Sequence, residues 1–300
     1  MHLHRSAAGL VVQAPAKLNL FFEVLGKRAD GYHEIETLVY PIDLYDTLYV
    51  TEDPSGRVRF GCHWARRGPE AESLGDVPEG PENLAVRAVE LLRQRAGVSR
   101  GIAMRLVKRI PSAAGLGGGS SDAAAALVAA STLWNLGWSD WQLGRLGAEL
   151  GSDVPLFLVR GPAVCRGRGE EVQPVSGLGL LHFVVVRPPA GLSTAAVYRA
   201  CRPARRARPL APLVEALLRG DLKRGGRLLF NRLEPAAETL SPWVRRLRQE
   251  LEEADCVGHR MTGSGSCHYG LCRHARHARR AARRLLAKGF GFAFAVRGSR

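Results

Sequence analysis

Pro111-Ser112-Ala113-Ala114-Gly115-Leu116-Gly117-Gly118-Gly119-Ser120-Ser121-Asp122 joins an alternating apolar segment, Ile102 to Val107, to an alanine-rich run ending near Trp134. Strand, glycine turn and helix in that order predict an anion site. Gly115, Gly117, Gly118 and Gly119 carry no Cβ that would hold a ligand away from the backbone. The free N–H groups of a first helical turn and the positive end of the helix dipole point at one place. Ser120, Ser121 and Asp122 are capping residue types, so the helix is expected from about Ser121. No Gly-Lys-Ser/Thr closes the loop, which excludes a Walker loop, and G-x-G-x-x-G fails at Ser120, which excludes a dinucleotide fingerprint. A turn that only caps a helix has no need of three consecutive glycines, so main-chain phosphate binding is the better reading.

Outward from this loop the chain alternates strands and helices. Leu18 to Leu25 reads as a buried strand, Asp30-Gly31 as a turn, and Ile35 to Asp43, Asp46 to Thr51 and Arg57 to His63 as further strands. Arg66 to Pro81 is rich in Gly, Pro and Glu and reads as a surface loop, followed by a helix from Glu82 to Ala96. A helix covers Trp141 to Leu150. Beyond Gly161 the chain becomes more basic, with strands at Ala163 to Arg166 and Leu180 to Arg187. Helices follow at Thr194 to Cys201, Leu210 to Arg219, Leu222 to Leu229 and Pro242 to Ala254, and the chain ends strand, helix, strand. This is an α+β pattern with a seam near residue 160, giving expected domains 1–160 and 161–300.

Three further features carry chemistry. Lys17 and Asn19 are the polar members of an apolar strand entrance and share one face by the period of two. Such a lysine either snorkels to solvent or meets a phosphate or an acid. In Gly151-Ser152-Asp153-Val154-Pro155 the carboxylate follows a helix end, as a turn residue or as a base. Met261-Thr262-Gly263-Ser264-Gly265-Ser266-Cys267 is a second glycine-serine turn, and paired with the first it suggests two backbone loops around one polyphosphate.

The 300 residues carry 43 Lys and Arg against 28 Asp and Glu, a formal charge of +15. The excess lies in residues 151–300, and all but five of the 43 are arginine, so coding bias competes with an anionic partner as its source. No apolar run reaches the length of a membrane span, and Met1 to Arg5 shows no secretory pattern, so a cytoplasmic protein without a membrane partner is expected. Six widely spaced cysteines without a CxxC read as reduced, mostly buried thiols. Cys267, His268, Cys272, His274 and His277 include zinc-ligand types, but the Cys267 to Cys272 gap falls in a strand-like stretch, and no metal ligand is assigned. Arg273 to Lys288 holds seven Lys and Arg at helical spacing. A nucleic-acid face competes there with an amphipathic surface helix whose Ala278, Ala281, Ala282, Leu285 and Leu286 face the core. Without a nucleic-acid fold or interleaved aromatics, the surface helix is preferred.

The motifs PAKLNL (15–20), DGYH (30–33), P-x-x-x-GLGGGSS (111–121), GSDVP (151–155) and MTGSGSC (261–267), in this order, resemble the GHMP small-molecule kinases. PAKLNL with Arg28 to His33 resembles their diphosphocytidyl-methylerythritol branch. The resemblance covers nearly the whole chain. It implies a two-lobed α+β fold with the active site in the cleft between N-terminal and C-terminal α/β domains. It implies ATP with Mg2+, a small-molecule substrate carrying cytidine diphosphate, and no nucleic-acid partner; the oligomeric state stays open. Asp153 would take the proton of the acceptor hydroxyl, and Lys17 would stabilise alkoxide and phosphoryl charge. Residues Pro111, Ser112, Ala113, Ala114, Gly115, Leu116, Gly117, Gly118, Gly119, Ser120 and Ser121 would wrap the nucleotide phosphates, with Asn83 near the adenosine. Asn19, Thr194, Gly263 and Gly265 would contact the other substrate, whose cytosine His33 would read between Tyr32 and Tyr198. Where the branch is often richer in glycine this chain has Ser112, Ala113 and Ala114. Asp122 would cap the helix rather than bind metal. A homoserine or mevalonate kinase would share the glycine loop but not need Tyr32, His33 and Tyr198.

Overall fold

The computed structural model describes residues 1–300 apart from Ala8, 66–73, Ala204 and Arg300. Half of the expected loop, 66–73, thus lies outside the described residues. The chain forms two compact units that are not simple halves. Unit 1 is Met1–Ala16, Leu44–Ser112 and Gly117–Arg160, and unit 2 is Lys17–Asp43, Ala113–Leu116 and Gly161–Arg300.

Unit 1 holds β1 (His2–Ser6), the first part of β2 (Gly9–Lys27), the second part of β3 (His33–Asp53), β4 (Val58–Trp64) and β5 (Gly101–Lys108). β1 runs antiparallel to β2, with His2 opposite Gln13. β5 lies between β3, antiparallel with Val107 opposite Thr47, and β4, parallel with Ile102 opposite Val58. The sequence suggested two strands where β3 runs unbroken for 21 residues. The acid that interrupts the apolar pattern, Asp46, is fully buried and answered by Lys108 and by the N–H groups of Arg109 and Ile110, so the strand has no reason to break.

The helices of unit 1 are α1 (Leu84–Ala96), α2 (Gly118–Leu133) and α3 (Asp140–Leu150), followed by a 3-10 turn at Pro155–Leu158. Alanines 123–126, Leu127, Ala129 and Ala130 are all buried, so α2 is apolar on nearly every face and packs against both α1 and α3. A larger side chain at Ala124 would overpack this helix at a cost of about 1–3 kcal/mol.

Unit 2 takes the remaining parts of β2 and β3. β6 (Ala163–Arg166) pairs with β3, Cys165 opposite Thr37, and β7 (Glu171–Pro174) pairs with β6. A second sheet is antiparallel throughout, in the order β10 (Gly258–Met261), β11 (His268–Cys272), β8 (His182–Val186), β12 (Ala293–Arg297). The two-residue β9 (Phe230–Asn231) runs parallel to β2, Phe230 opposite Phe21. The helices are α4 (Thr194–Ala200), α5 (Ala211–Leu218), α6 (Leu222–Leu228), α7 (Glu234–Leu240), α8 (Pro242–Glu253) and α9 (Ala275–Ala287). Leu247 and Leu251 of α8 and Ala278, Ala281, Ala282 and Leu285 of α9 pack on Val184 and Val186 of β8. Leu286, expected on that face, is instead 46% exposed, because one further residue turns it about 100° off the apolar stripe. β7, β9, β10 and α7 were not expected from the sequence.

Candidate active site

Helix α2 starts at Gly118, three residues before the expected start, and its N-cap is Gly117 in the left-handed region with no side-chain cap. The anticipated capping by Ser120, Ser121 and Asp122 is therefore corrected: all three lie inside the helix. The reason is Gly117, whose φ of 72° ends the preceding turn without a side chain's help. An uncapped start leaves first-turn N–H groups for an external acceptor.

The glycines of the loop do different jobs. At Gly115 (φ 75°) a Cβ would run into the Thr262 carbonyl, so this glycine serves the approach of the Met261–Cys267 turn within unit 2. Cys267 N–H donates to the Ala114 carbonyl at 3.2 Å and the Thr262 hydroxyl faces the Gly115 carbonyl at 3.2 Å. The two glycine-serine segments are thus brought together, as the sequence suggested. At Gly118 a Cβ would press on Ile110 at 2.9 Å, whereas at Gly119 it would meet only Leu84 at 3.7 Å. Gly119 is the position in this stretch that internal packing leaves unexplained.

Lys17 is 4% exposed, and its Nζ donates to Asn19 Oδ1 at 2.6 Å. Asn19 is held on every side. Its Nδ2 donates to Thr37 Oγ1 at 2.9 Å, its N–H to Thr262 Oγ1 at 3.1 Å, and its carbonyl accepts from Tyr269 OH at 3.0 Å. The Thr37 hydroxyl donates onward to Phe21 O, so it must accept from Nδ2, and this turns the amide oxygen toward the lysine. Asn19 is 2% exposed and orients Lys17. A Cβ at Gly263 would stand 3.4 Å from Lys17 Nζ and 3.3 Å from Asn19 Oδ1, so the second glycine turn passes over the ammonium.

In unit 1 a second buried lysine appears that the sequence reading missed. Lys108, 3% exposed, bonds Asp46 and, at 2.6 Å, Asp122. Burial pushes the Asp122 carboxyl up to about 7, with Lys108 opposing and Asp46 adding to the rise. The only available signal was a lysine, rare in this chain, closing an apolar strand. Asp153 sits half-buried in the turn between α3 and Pro155. Gly147 on α3 lacks the Cβ that would collide with Val154, which seats this turn against the helix. Asn83 caps α1: its Oδ1 accepts from Ala85 N–H at 2.9 Å and its Nδ2 donates to Pro78 O at 2.7 Å.

At another part of unit 2 the imidazole of His33 lies against Tyr198, centroids 5.1 Å apart and planes at 34°. Burial, then the charge of Lys27, lowers the His33 pKa, so the ring is neutral at pH 7 and offers one donor and one acceptor. Tyr32 is 56% exposed and carries the Arg168 guanidinium over its ring at 5.0 Å. Thr194 Oγ1 and Ser264 Oγ are 2.8 Å apart, which ties α4 to the second glycine turn.

Residues 83–161 match the family described as GHMP kinases N terminal domain, and residues 213–290 match GHMP kinases C terminal. A 4-diphosphocytidyl-2-C-methyl-D-erythritol kinase of Pelotomaculum thermopropionicum is 43% identical over 90% of this chain and 92% of its own length. The enzyme of the same name from Alkaliphilus metalliredigens is 35% identical over 90% of both. The chain belongs to the 4-diphosphocytidyl-2-C-methyl-D-erythritol kinase family. It is an ATP-dependent small-molecule kinase with the α+β GHMP fold. A crystal structure of 4-(cytidine 5'-diphospho)-2C-methyl-D-erythritol kinase superposes with a TM-score of 0.79 at 38% identity, covering 97% of this chain and all of that one. A homoserine kinase from Cytophaga hutchinsonii, at 19% identity and a TM-score of 0.73 over 100% of this chain and 97% of its own, shares the fold alone.

The kinase loop fits a phosphorylated ligand. Besides the uncapped helix start, Ser121 Oγ and Asp122 Oδ1 are buried without a hydrogen-bond partner. Two orphaned buried oxygens beside a helix N-terminus suit a phosphate-bound magnesium, which takes oxygen ligands. No helix among the described residues is long and apolar enough to cross a membrane.

Proposed function

We propose that this kinase transfers the γ-phosphoryl group of ATP to the 2-hydroxyl of 4-diphosphocytidyl-2-C-methyl-D-erythritol, giving the 2-phosphate. The observation that carries the reading is Lys17, a buried ammonium aimed by Asn19 beneath the Gly263 backbone. Phosphoryl transfer asks a protein for positioning and charge stabilisation, and a lysine with its amide partner locked in place supplies both without reorganisation. Asp153 accepts the proton of the 2-hydroxyl, and Lys17 stabilises the developing alkoxide and phosphoryl charge.

The ATP phosphates take the open amides at the start of α2 and the backbone of residues 111–121. Asn83 lies near the adenosine through the end of α1 that it caps. Magnesium bound with the nucleotide would be held by Ser121 and Asp122 and would supply charge neutralisation there. The neutral His33 reads the cytosine edge, with its plane fixed by Tyr198, while Tyr32 and Thr194 close on the same substrate. Gly263 and Gly265 keep the second turn low over Lys17. Asn19 serves the substrate through Lys17. The substrate is a small molecule, and the arginines of α9 form a solvated face whose opposite side is core. A cytoplasmic location remains part of this reading, on composition.

The test is steady-state kinetics with ATP and the diphosphocytidyl alcohol, beside homoserine and mevalonate. Asp153→Ala is expected to lose turnover by at least ~100-fold while nucleotide still binds. His33→Ala is expected to raise KM for the alcohol roughly 10-fold or more and leave KM for ATP within about 2-fold, since each lost hydrogen bond is worth about 1–1.5 kcal/mol. Near-normal turnover of Asp153→Ala, or activity only with homoserine or mevalonate, overturns the assignment.

A further inference from the structure

Cys256, Cys272 and His277 play no part in the candidate active site, yet they converge within unit 2. Cys256 follows Asp255, a left-handed residue (φ 58°) that ends the α8 region; Cys272 ends β11; His277 lies in the first turn of α9. Both sulfurs and one imidazole nitrogen lie within 4.8 Å of one another. The sequence reading grouped Cys272 and His277 with Cys267 and His268. Those two belong to the opposite end of β11, roughly 13 Å along the strand, and Cys256 escaped notice.

The surroundings are those of a ligand set. His277 Nε2 lies 3.0 Å from the Ala254 carbonyl, which only accepts, so the ring proton sits on Nε2 and Nδ1 keeps its lone pair. A backbone carbonyl holding the second nitrogen is the usual support of a metal-bound histidine. Nδ1 meets the N–H of Arg273, the neighbour of Cys272, at a long 3.3 Å. Cys272 and His277 are 1% and 2% exposed, while Cys256 is half-buried and leaves a way in from solvent. Gly270 makes room for the Cys256 sulfur, which a Cβ there would overlap. Cys256 and Cys272 are both free cysteines, and the hydrogen bond to Cys272 together with burial holds the Cys256 thiol above its ordinary range.

We propose that Cys256, Cys272 and His277 form a binding site for a thiophilic divalent cation of the zinc type, with water as the fourth ligand. Two sulfurs and a nitrogen suit zinc and not magnesium or calcium. As each metal–sulfur bond forms, the thiol proton leaves to solvent; one cation displaces two protons and no electrons move. The loaded site is neutral and clamps the ends of α8 and β11 to the start of α9.

The experiment titrates the reduced, metal-stripped full chain with Co2+ and follows the thiolate-to-cobalt charge-transfer band. One equivalent is expected to bind in tetrahedral form, release two protons and be displaced by Zn2+. Cys256→Ser, at the accessible edge, is expected to bind at least ~100-fold more weakly and to keep its circular dichroism. Absence of the thiolate band in the wild-type chain overturns the site. So does a band unchanged in Cys256→Ser, or a mass two hydrogens lighter before reduction together with no metal uptake after it.

Discussion

Two buried lysines, one in each unit, have different surroundings. Lys108 in unit 1 bonds two carboxylates, Asp46 and Asp122. Lys17 in unit 2 is oriented by a neutral amide, itself clamped by Thr37 and Thr262. Both leave water at a cost of several kcal/mol per ion. In unit 1 the cost is offset by charge from the protein, and the ammonium becomes part of the frame beneath the glycine loop. In unit 2 the amide clamp gives the ammonium a direction, as suits a group working on a ligand. Burial alone therefore does not mark a functional lysine.

The largest expected effect comes from breaking the first cluster. Lys108→Met leaves two buried carboxylates facing each other and should cost about 3–5 kcal/mol in urea unfolding, the usual result of removing one partner from a buried ion pair. A loss below ~1 kcal/mol would mean that the cluster is not structural. Lys17→Met should show the reverse pattern. Turnover falls by roughly 10²–10³, as for removal of one preorganised donor in a catalytic site, with a smaller loss of stability than Lys108→Met. Equal losses of stability in the two variants would erase the contrast.

Asn19→Asp replaces the neutral amide beside Lys17 with a carboxylate and forfeits the bond to Thr37. Stability should stay within about 1–1.5 kcal/mol, while turnover drops roughly 10-fold because the ammonium's charge is partly spent. Retained turnover would show that Lys17 needs only to be present, not aimed. The smallest effect is a pH slope. Asp122 titrates at about 7 in the folded chain, above its unfolded value. A raised carboxyl contributes stability that is complete below about pH 4 and is lost as the pH climbs through 7. Lys108, raised as well, does not titrate in that window. The melting temperature of the wild-type chain should thus fall from pH 4 to 7 relative to Asp122→Asn, and parallel curves would contradict the shift.

Much of the molecule could be read before any coordinates. The helices near residues 84–96 and 140–150 and the strand near 102–107 stand within a few residues of expectation, because their apolar spacing is local. The glycine loop, Lys17 with Asn19 and the second glycine turn were singled out from residue types. Errors arose where a distant partner changed a local preference. The strands expected at Ile35 to Asp43 and at Asp46 to Thr51 are one strand, and Lys108, 62 residues on from Asp46, could not be seen beside it. Asp122 looked like a cap, although Lys108 had already claimed it.

Which elements form, and which short segments bear chemistry, follow from neighbours along the chain, whose steric and hydrogen-bonding preferences act within a few residues. That Lys108 meets Asp46 and Asp122, that Asn19 aims Lys17, why Gly115 must be glycine, and that Cys256 meets Cys272 depend on atoms brought together by burial. Packing is decided by the sum of many weak contacts across the fold, and no single stretch of sequence contains that sum.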